Sequence, residues 1–381
     1  MTVAKSGLQL TSLVKSSGEL ELSLARAPVP EPGDDEILVR IDATPINPSD
    51  LALLVGGADL DRASASEIDG LPVITAPVAP AFMRGSTARI DKPLPVGNEG
   101  AGVVVAAGVS VAAQALVGKT VSLAGGAMYA QYRLAKAAEA FVLPDDASAA
   151  DGASSFVNPM TALGFVETMR REGHHALVNT AAASNLGQML VKLCQADGIP
   201  LVNIVRSEAQ AKLLRDLGAA HVCDSSSETF NDDLVAALLE TGALLAFDAV
   251  GGGKLAGQIL TAMDTALNRR DGAYSPYGST THKQIYLYGV LDMSPTVLGH
   301  SFGLHWGAGG WLVSSFLKKI GPEAAAKMRA RVAADLKTIF ASHYTQEISL
   351  VEALDLDTLL AYRRTATGEK YLINPHKGLA A

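Results

Sequence analysis

Cysteine is almost missing from this chain: Cys194 and Cys223 are the two among 381 residues. Two thiols on a predicted helix and a predicted strand cannot build a disulfide framework or a four-cysteine zinc site, so both read as buried structural side chains. Basic charge is also short, with 31 Lys and Arg against 39 Asp and Glu and a net charge of −8. No basic run stands out from that background, which argues against nucleic acid or an anionic membrane as the main partner. Long apolar runs are lacking as well. The most apolar region, Val103 to Val117, is interrupted by Gly108, Ser110 and Gln114 and falls short of a membrane-spanning length. The opening MTVAKSGLQLTSLVKSSGELEL carries no continuous apolar segment behind its first lysine, so no secretory signal is read there and a cytoplasmic location is expected. Internal repeats at a solenoid period and low-complexity tracts are absent too.

What is present suits packed, turn-rich globular structure. Hydrophobic residues make up 48% of the chain and glycine contributes 36 positions, on a length sufficient for two domains. From Leu8 to about Val142 the pattern is one of short strands (LQLTSLV, ELELSLA, EILVRIDA, AGVVVAAG, TVSLAG, AQYRLA, AFVLP) separated by glycine, proline and acidic turns, which predicts an antiparallel, barrel-like half. Within it, Val55 to Pro93 is rich in Ala, Gly, Pro and Asp with weak periodicity and reads as a long loop: a lid, a binding loop or a surface insertion. From about Thr161 strands alternate with helices, which specifies a parallel sheet with further strands at 220–223, 244–250 and 285–290. Beyond roughly Gly299 the sequence predicts a glycine-rich loop, a helix from Pro322 to about Ser342, and a return segment, YLINP, that rejoins the first half.

The most informative stretch is 176–222, ALVNTAAASNLGQMLVKLCQADGIPLVNIVRSEAQAKLLRDLGAAHV. Ala176 to Asn179 reads as a strand. Leu186, Met189, Leu190, Leu193 and Cys194, spaced i, i+3, i+4, i+7, i+8, read as a helix closed by Gly198. Leu201 to Val205 reads as a buried strand, and 209–217 as a second helix stopped by Gly218. This order aims the first helix's N-terminus at the turn 181–186, where backbone N–H groups and the positive dipole end would receive a pyrophosphate. The glycine fingerprint of dinucleotide sites is poor here: aligned on Gly187, its first two glycines are Ala182 and Ser184. Arg206 ends the second strand, where an acidic residue would hold a ribose 2′-hydroxyl and an arginine accommodates a 2′-phosphate, so NADP(H) is favoured over NAD(H). The alternative for Arg206 is a solvated strand-end charge paired with Glu208.

With both halves in view, the chain resembles the medium-chain dehydrogenase/reductase superfamily, in its zinc-free quinone oxidoreductase and enoyl reductase branch. The residues that carry this are PVPEPGDDEILVRIDATPINPSDL with its N-P-x-D turn at Asn47, Pro48, Ser49 and Asp50, LPVGNEGAGVVVAAG with Asn98, Glu99 and Gly100, the run from Asn158 to Ala162, and Arg206. The resemblance implies an α/β fold: a Rossmann-type doubly wound parallel sheet at 159–300, plus a β-rich GroES-like barrel domain built from 1–158 and the return at 301–381. It implies cofactor contacts at Thr161, Ser184, Asn185, Leu186, Gly187, Arg206, Val250, Gly289, Val290 and Leu291, with Asn47 and Asp50 bordering the reacting end. Plain turn or cap chemistry is the alternative for Asn47, Asp50 and Thr161.

The same comparison removes the metal, because Asn47 and Asn98 stand where the zinc enzymes of the superfamily carry a cysteine and a histidine. NADPH/NADP+ is therefore the expected cofactor, without zinc, and a small-molecule electron acceptor the expected partner, with no nucleic acid and no membrane. A homodimer through the cofactor domain, using the sheet edge after Val290, is also implied. The enoyl reductases carry a tyrosine shortly after N-P-x-D, whereas this chain continues Leu51, Ala52, Leu53, Leu54, Val55. Tyr129, Tyr132, Tyr288 or water could supply a proton in its place. Quinone reduction depends less on a protein acid and is the leading reading; an enoyl thioester reductase and a non-catalytic NADPH-binding sensor or partner module are the alternatives.

Overall fold

The computed structural model describes residues 5–272 and 275–378; the first four and last three residues, which the expected domain bounds include, lie outside the described residues. The chain divides into two compact units, Met1–Val157 with Ala333–Ala381, and Asn158–Val332.

The first unit begins with β1 (Ser6–Lys15), β2 (Glu19–Pro28) and β3 (Glu36–Pro45), followed by helix α1 (Pro48–Leu54). Next come β4 (Ser64–Ile68), β5 (Leu71–Pro77), the short helix α2 (Pro80–Gly85), β6 (Leu94–Pro95) and β7 (Glu99–Ala107). Then follow α3 (Val111–Gln114), β8 (Thr120–Ala124), β9 (Tyr132–Lys136), β10 (Phe141–Val142) and α4 (Ala149–Gly152). One sheet runs β4-β5-β2-β1-β6 and is antiparallel throughout. Period-two alternation explains its face: Leu8, Leu10 and Val14 of β1 and Leu20, Leu22 and Leu24 of β2 are buried together against Ile74 and Ala76 of β5.

The segment 55–93 is therefore not the loop that its composition predicts. Asp69 and Gly70, with φ of 52° and 72°, form the two-residue connection that joins β4 to β5. Aspartate followed by glycine suits a turn with both central residues at positive φ, because that geometry matches the twist of the paired strands. The pattern is hidden because every residue of β4 is exposed, so this strand shows no alternation, and prolines punctuate β5.

The second unit opens in helix α5 (Val157–Arg171) and continues with β11 (Leu177–Asn179), α6 (Asn185–Asp197), β12 (Leu201–Val205), α7 (Glu208–Asp216) and β13 (His221–Asp224). Helix α8 (Phe230–Thr241), β14 (Leu245–Asp248), α9 (Leu255–Asp271), β15 (Lys283–Leu287) and β16 (Trp306–Gly310) complete the sheet. All its pairings are parallel, in the order β13-β12-β11-β14-β15-β16. Numbered within the unit this is 3-2-1-4-5-6, the doubly wound Rossmann order, whose crevice opens where β11 and β14 part. Both faces of the sheet are covered, and all five residues of β12 are buried, which is why a run without alternation makes a strand.

The expected return to the first half was placed at 301, but residues 301–332 pack within the second unit, because Trp306–Gly310 adds to the sheet in register with Lys283–Leu287. The helix expected at 322–342 begins at Pro322 as expected but ends at Ala334 (α11, Pro322–Ala334), and a separate helix, α10 (Val313–Ile320), precedes it. Beyond Ala334 the backbone turns at Asp335, whose carbonyl accepts from the N–H groups of Thr338 and Phe340, and Leu336 and Phe340 are buried. The chain then contributes β17 (Gln346–Ile348), helix α12 (Leu356–Arg363) and β18 (Tyr371–Ile373) to the first unit. There β18 pairs with β3 in the sheet β10-β8-β7-β3-β18-β17, and β9 pairs with β3 as well. No helix among the described residues is long and apolar enough to cross a membrane.

Candidate cofactor site and a buried charged cluster

At the crevice, β11 ends in Asn179, and the chain turns through Thr180 to Ala183 into α6. Ser184 caps that helix: its backbone is extended, and its hydroxyl accepts from the Gly187 N–H at 3.1 Å. Gly187 is required sterically, since a Cβ there would lie 2.1 Å from the Ala182 carbonyl oxygen. Ala181 holds a positive φ of 48°, a conformation disfavoured for a residue with a side chain. The opening turn of α6 places Asn185 and Leu186 where a helix presents N–H groups it cannot satisfy internally. Ser184, Asn185, Leu186 and Gly187 thus share one helix start. Arg206 follows β12, exposed, with its backbone N–H donating to Gln210 Oε1 at 3.1 Å. Glu208 is bonded to Arg215 at 2.7 Å, so it does not pair with Arg206 as the alternative reading had it.

The turn after β14 is the second wall. Asp248 is fully buried; its Oδ1 accepts from the Thr180 hydroxyl at 2.6 Å and the Val250 N–H at 2.9 Å, and its Oδ2 accepts from the Gly251 N–H at 3.2 Å. The turn after β15 packs on it so closely that a Cβ on Gly289 would sit 2.7 Å from the Ala249 carbonyl oxygen. Gly289 and Val290, with Gly251, Tyr288, Asp292 and Trp311, line a cavity of about 430 Å³ at the carboxyl ends of β14, β15 and β16. Beneath it lies an aromatic cluster, with Phe165 and Phe247 stacked at 3.8 Å between ring centroids and Trp311 edge-on to Phe165. Val290 and Leu291 are exposed, and Thr161 is buried in α5. Thr180 and Asp248 escaped the sequence reading; the signal available was an aspartate three residues before a glycine triplet, a pattern that reads first as an ordinary turn.

In the first unit, Asn47 and Asp50 belong to a buried polar cluster. Pro48 begins α1, and Asp50 reaches back to accept from the Asn47 N–H at 2.8 Å while its other oxygen accepts from the Asn98 N–H at 2.8 Å. Glu99 receives the Asn47 side-chain N–H at 2.8 Å on one oxygen, and the N–H groups of Phe156 and Val157 at 2.9 and 2.8 Å on the other. Lys370 is the cation of the group; its Nζ donates to Ser154 Oγ at 2.8 Å. Burial pushes the Asp50 carboxyl up to about 7 and the Lys370 ammonium down to about 8; it raises Glu99 too, while the nearby Lys370 charge opposes that rise. Nothing in the sequence pattern linked Lys370 to Glu99.

Tyr129 and Tyr288 are both held protonated by burial. Tyr129 is fully buried with its hydroxyl donating to the Pro45 carbonyl at 3.2 Å, and burial raises the pKa of both phenols.

The donor set does not suit zinc. The Glu99 oxygens are engaged by three N–H groups, those of the Asn47 side chain and of the Phe156 and Val157 backbone, while burial holds Cys194 and Cys223 as thiols, pushed up to about 12 and about 11. Among the described residues no group of three or more His, Cys, Asp or Glu is placed to hold a metal ion.

A parallel 3-2-1-4-5-6 sheet, with a capped helix start and a strand-end arginine at its crevice, defines a dinucleotide-binding fold of the dehydrogenase kind. Residues 185–308 match the family model described as zinc-binding dehydrogenase. The chain is 29% identical over 215 residues to the mitochondrial enoyl-[acyl-carrier-protein] reductase of Xenopus tropicalis, covering 53% of this chain and 51% of that protein. It spans about half the length of the curated relatives of this kind that it matches. Among solved structures, a Mesorhizobium loti protein assigned as an NADPH:quinone reductase superposes with a TM-score of 0.75 at 26% identity, over 98% of this chain and 100% of that one. The Escherichia coli quinone oxidoreductase, solved with NADPH, shares the fold at a TM-score of 0.65 and 17% identity, over 97% of this chain and 100% of that one. In fold and in sequence the chain is similar to members of the medium-chain dehydrogenase/reductase superfamily, on its quinone oxidoreductase and enoyl reductase side.

Proposed function

We propose that this protein is an NADPH-dependent, zinc-independent reductase that delivers hydride to a quinone or a similarly activated carbonyl or alkene. The observation that carries the reading is the exposed Arg206 at the end of β12, beside a helix start whose Ser184 cap and Gly187 admit a close approach to the backbone. Arginine recognises phosphate through a planar set of donors, which suits the 2′-phosphate of NADPH. When bound, NADPH supplies the hydride. Ser184, Asn185, Leu186 and Gly187 would line the pyrophosphate, and Thr161 with Val250, Gly289, Val290 and Leu291 would border the ribose and nicotinamide. The relatives named above support this chemistry, and the absence of a tyrosine after Asp50 favours acceptors that need no protein acid, so quinones are placed ahead of enoyl thioesters.

Two measurements test the reading. Loss of NADPH absorbance with a panel of quinones, enones and enoyl thioesters should show turnover, fastest with quinones; a preference for crotonyl-type thioesters would move the protein to the enoyl reductases. Tight NADPH binding without turnover on any acceptor would make it a cofactor-binding sensor instead. In the second measurement, Arg206→Ala should weaken NADPH roughly tenfold or more and leave NADH nearly unchanged, the size expected for lost charge-assisted bonds. Equal loss of both cofactors would overturn the assignment to the 2′-phosphate. We further propose that the protein works in the cytoplasm as a homodimer formed along the free edge of the parallel sheet.

A further inference from the structure

Three consecutive N–H groups in the turn after β14 are used up inside the protein. Ala249 N–H donates to the Thr180 hydroxyl oxygen at 2.8 Å, while Val250 and Gly251 N–H donate to the two oxygens of Asp248. The carbonyls of the same turn face the next loop: Ala249 accepts from Leu291 N–H at 3.1 Å, Val250 from Asp292 N–H at 2.9 Å, and Gly251 from the Thr296 hydroxyl at 2.6 Å. Asp248 closes β14 and Thr180 directly follows its parallel neighbour β11; both are fully buried and join through the 2.6 Å bond between them. Immediately after Thr180 comes Ala181 at positive φ, and immediately after that Ala182, whose N–H is fixed by the Ile204 carbonyl at 3.1 Å. A disfavoured backbone conformation persists only where its surroundings over-determine it. Here the Thr180 to Asp248 bond is one of the two pins.

We infer that Asp248, acting through Thr180, is a positioning residue that locks the turn before α6 and the turn after β14 into one geometry, so that the dinucleotide meets a preorganised crevice. The inference rests on the proposed dinucleotide function for its purpose, and on the bonds themselves for its mechanism. It also divides the labour between the two walls. The turn after β14 has turned its N–H groups inward and has none of those three left for an anion, so the phosphates fall to the start of α6, while the turn after β14 offers a rigid, uncharged surface to the ribose and nicotinamide. A carboxylate accepting three bonds, two of them from successive amides, is suited to this because charge-assisted bonds are short and strong in a buried setting.

The test uses the full chain with Thr180→Val, Thr180→Ser, Asp248→Asn and the Val/Asn double variant. Amide hydrogen exchange is followed in 180–187 and 249–252 without cofactor, and NADPH affinity is measured by nucleotide fluorescence. Thr180→Val should raise exchange in both turns, and the double variant should add little to either single change, as expected for two members of one network. NADPH should bind roughly tenfold or more weakly in Thr180→Val, with Thr180→Ser restoring it. If Asp248→Asn fails to fold, the Thr180 pair still decides. Exchange that rises only in the turn carrying the substitution, or unchanged NADPH affinity in Thr180→Val when the parent chain binds NADPH, would overturn the inference. A parent chain that binds no NADPH would overturn the proposed function, and the exchange measurement would then judge the lock by itself.

Discussion

At the scale of single residues, the buried cluster around α1 sets a pH dependence whose sign can be worked out. Asp50 has its carboxyl pushed up to about 7 by burial, against an ordinary value near ~3.9. The folded state therefore holds a proton that the unfolded chain releases as pH rises from about 4 to about 7, and stability falls across that window. Asp50→Asn cannot ionise, so the stability gap between variant and parent should drift in the variant's favour as pH rises, by up to ~1.4 kcal/mol per pH unit. Urea unfolding at pH 5, 6 and 7 measures this, and a pH-independent gap would show that Asp50 does not titrate there. Lys370, lowered to about 8, acts in the other direction: its contribution is lost as pH falls through about 8. Gly187 gives a steric prediction. A methyl group 2.1 Å from the Ala182 carbonyl oxygen cannot be accommodated without moving backbone, so Gly187→Ala should cost on the order of 1 to 3 kcal/mol and abolish tight NADPH binding. Thermal melting and nucleotide fluorescence together check it.

At the scale of elements, the hairpin in 55–93 is half dispensable. Its outer strand β4 is exposed along its whole length, whereas Ile74 of β5 is fully buried in the core shared with β1 and β2. Replacing Ile74 by Ala should cost about 2 to 5 kcal/mol, while Ser66→Ala in β4 should stay within about 0.5 kcal/mol; chemical denaturation distinguishes them. Similar costs at both sites would mean that β4 carries weight its exposure conceals. The same contrast explains what could be read from the residues alone. β12 was legible to its last residue because a mostly apolar, β-branched run between Pro200 and Arg206, broken only by Asn203, has one sensible fate in an alternating α/β pattern. β16 was not, since Trp-Gly-Ala-Gly-Gly has little strand propensity and becomes a strand only through its register with β15. In the site, the helix start and Arg206 were legible from local spacing. The links from Thr180 to Asp248, and the meeting of Glu99 with Lys370, join positions 68 and more residues apart and leave no periodic trace.

At the scale of the whole molecule, the parallel sheet ends in a strand that pairs on one side only among the described residues. β16 is the last strand in the order, and an open edge of this length is an invitation to pair with another chain unless something blunts it. Charge does not blunt it here, because β16 itself carries none, and glycine at three of its five positions leaves the backbone unshielded. The surrounding chain between 290 and 312 exposes Val290, Leu291, Met293, Val297, Leu304 and Leu312, a density of large apolar side chains that a protein with no partner would be expected to avoid. The proposed homodimer covers both features at once, with two copies of β16 pairing along a twofold axis and the apolar segments packing beside them. Sedimentation at low micromolar concentration should then give twice the mass of one chain. Met293→Asp together with Leu304→Asp places charge on exposed positions and should shift the protein to one chain without lowering its melting temperature beyond what loss of the partner removes. A parent chain that sediments as a single copy at all concentrations would rule the dimer out and leave the 290–312 surface to the acceptor or to another partner.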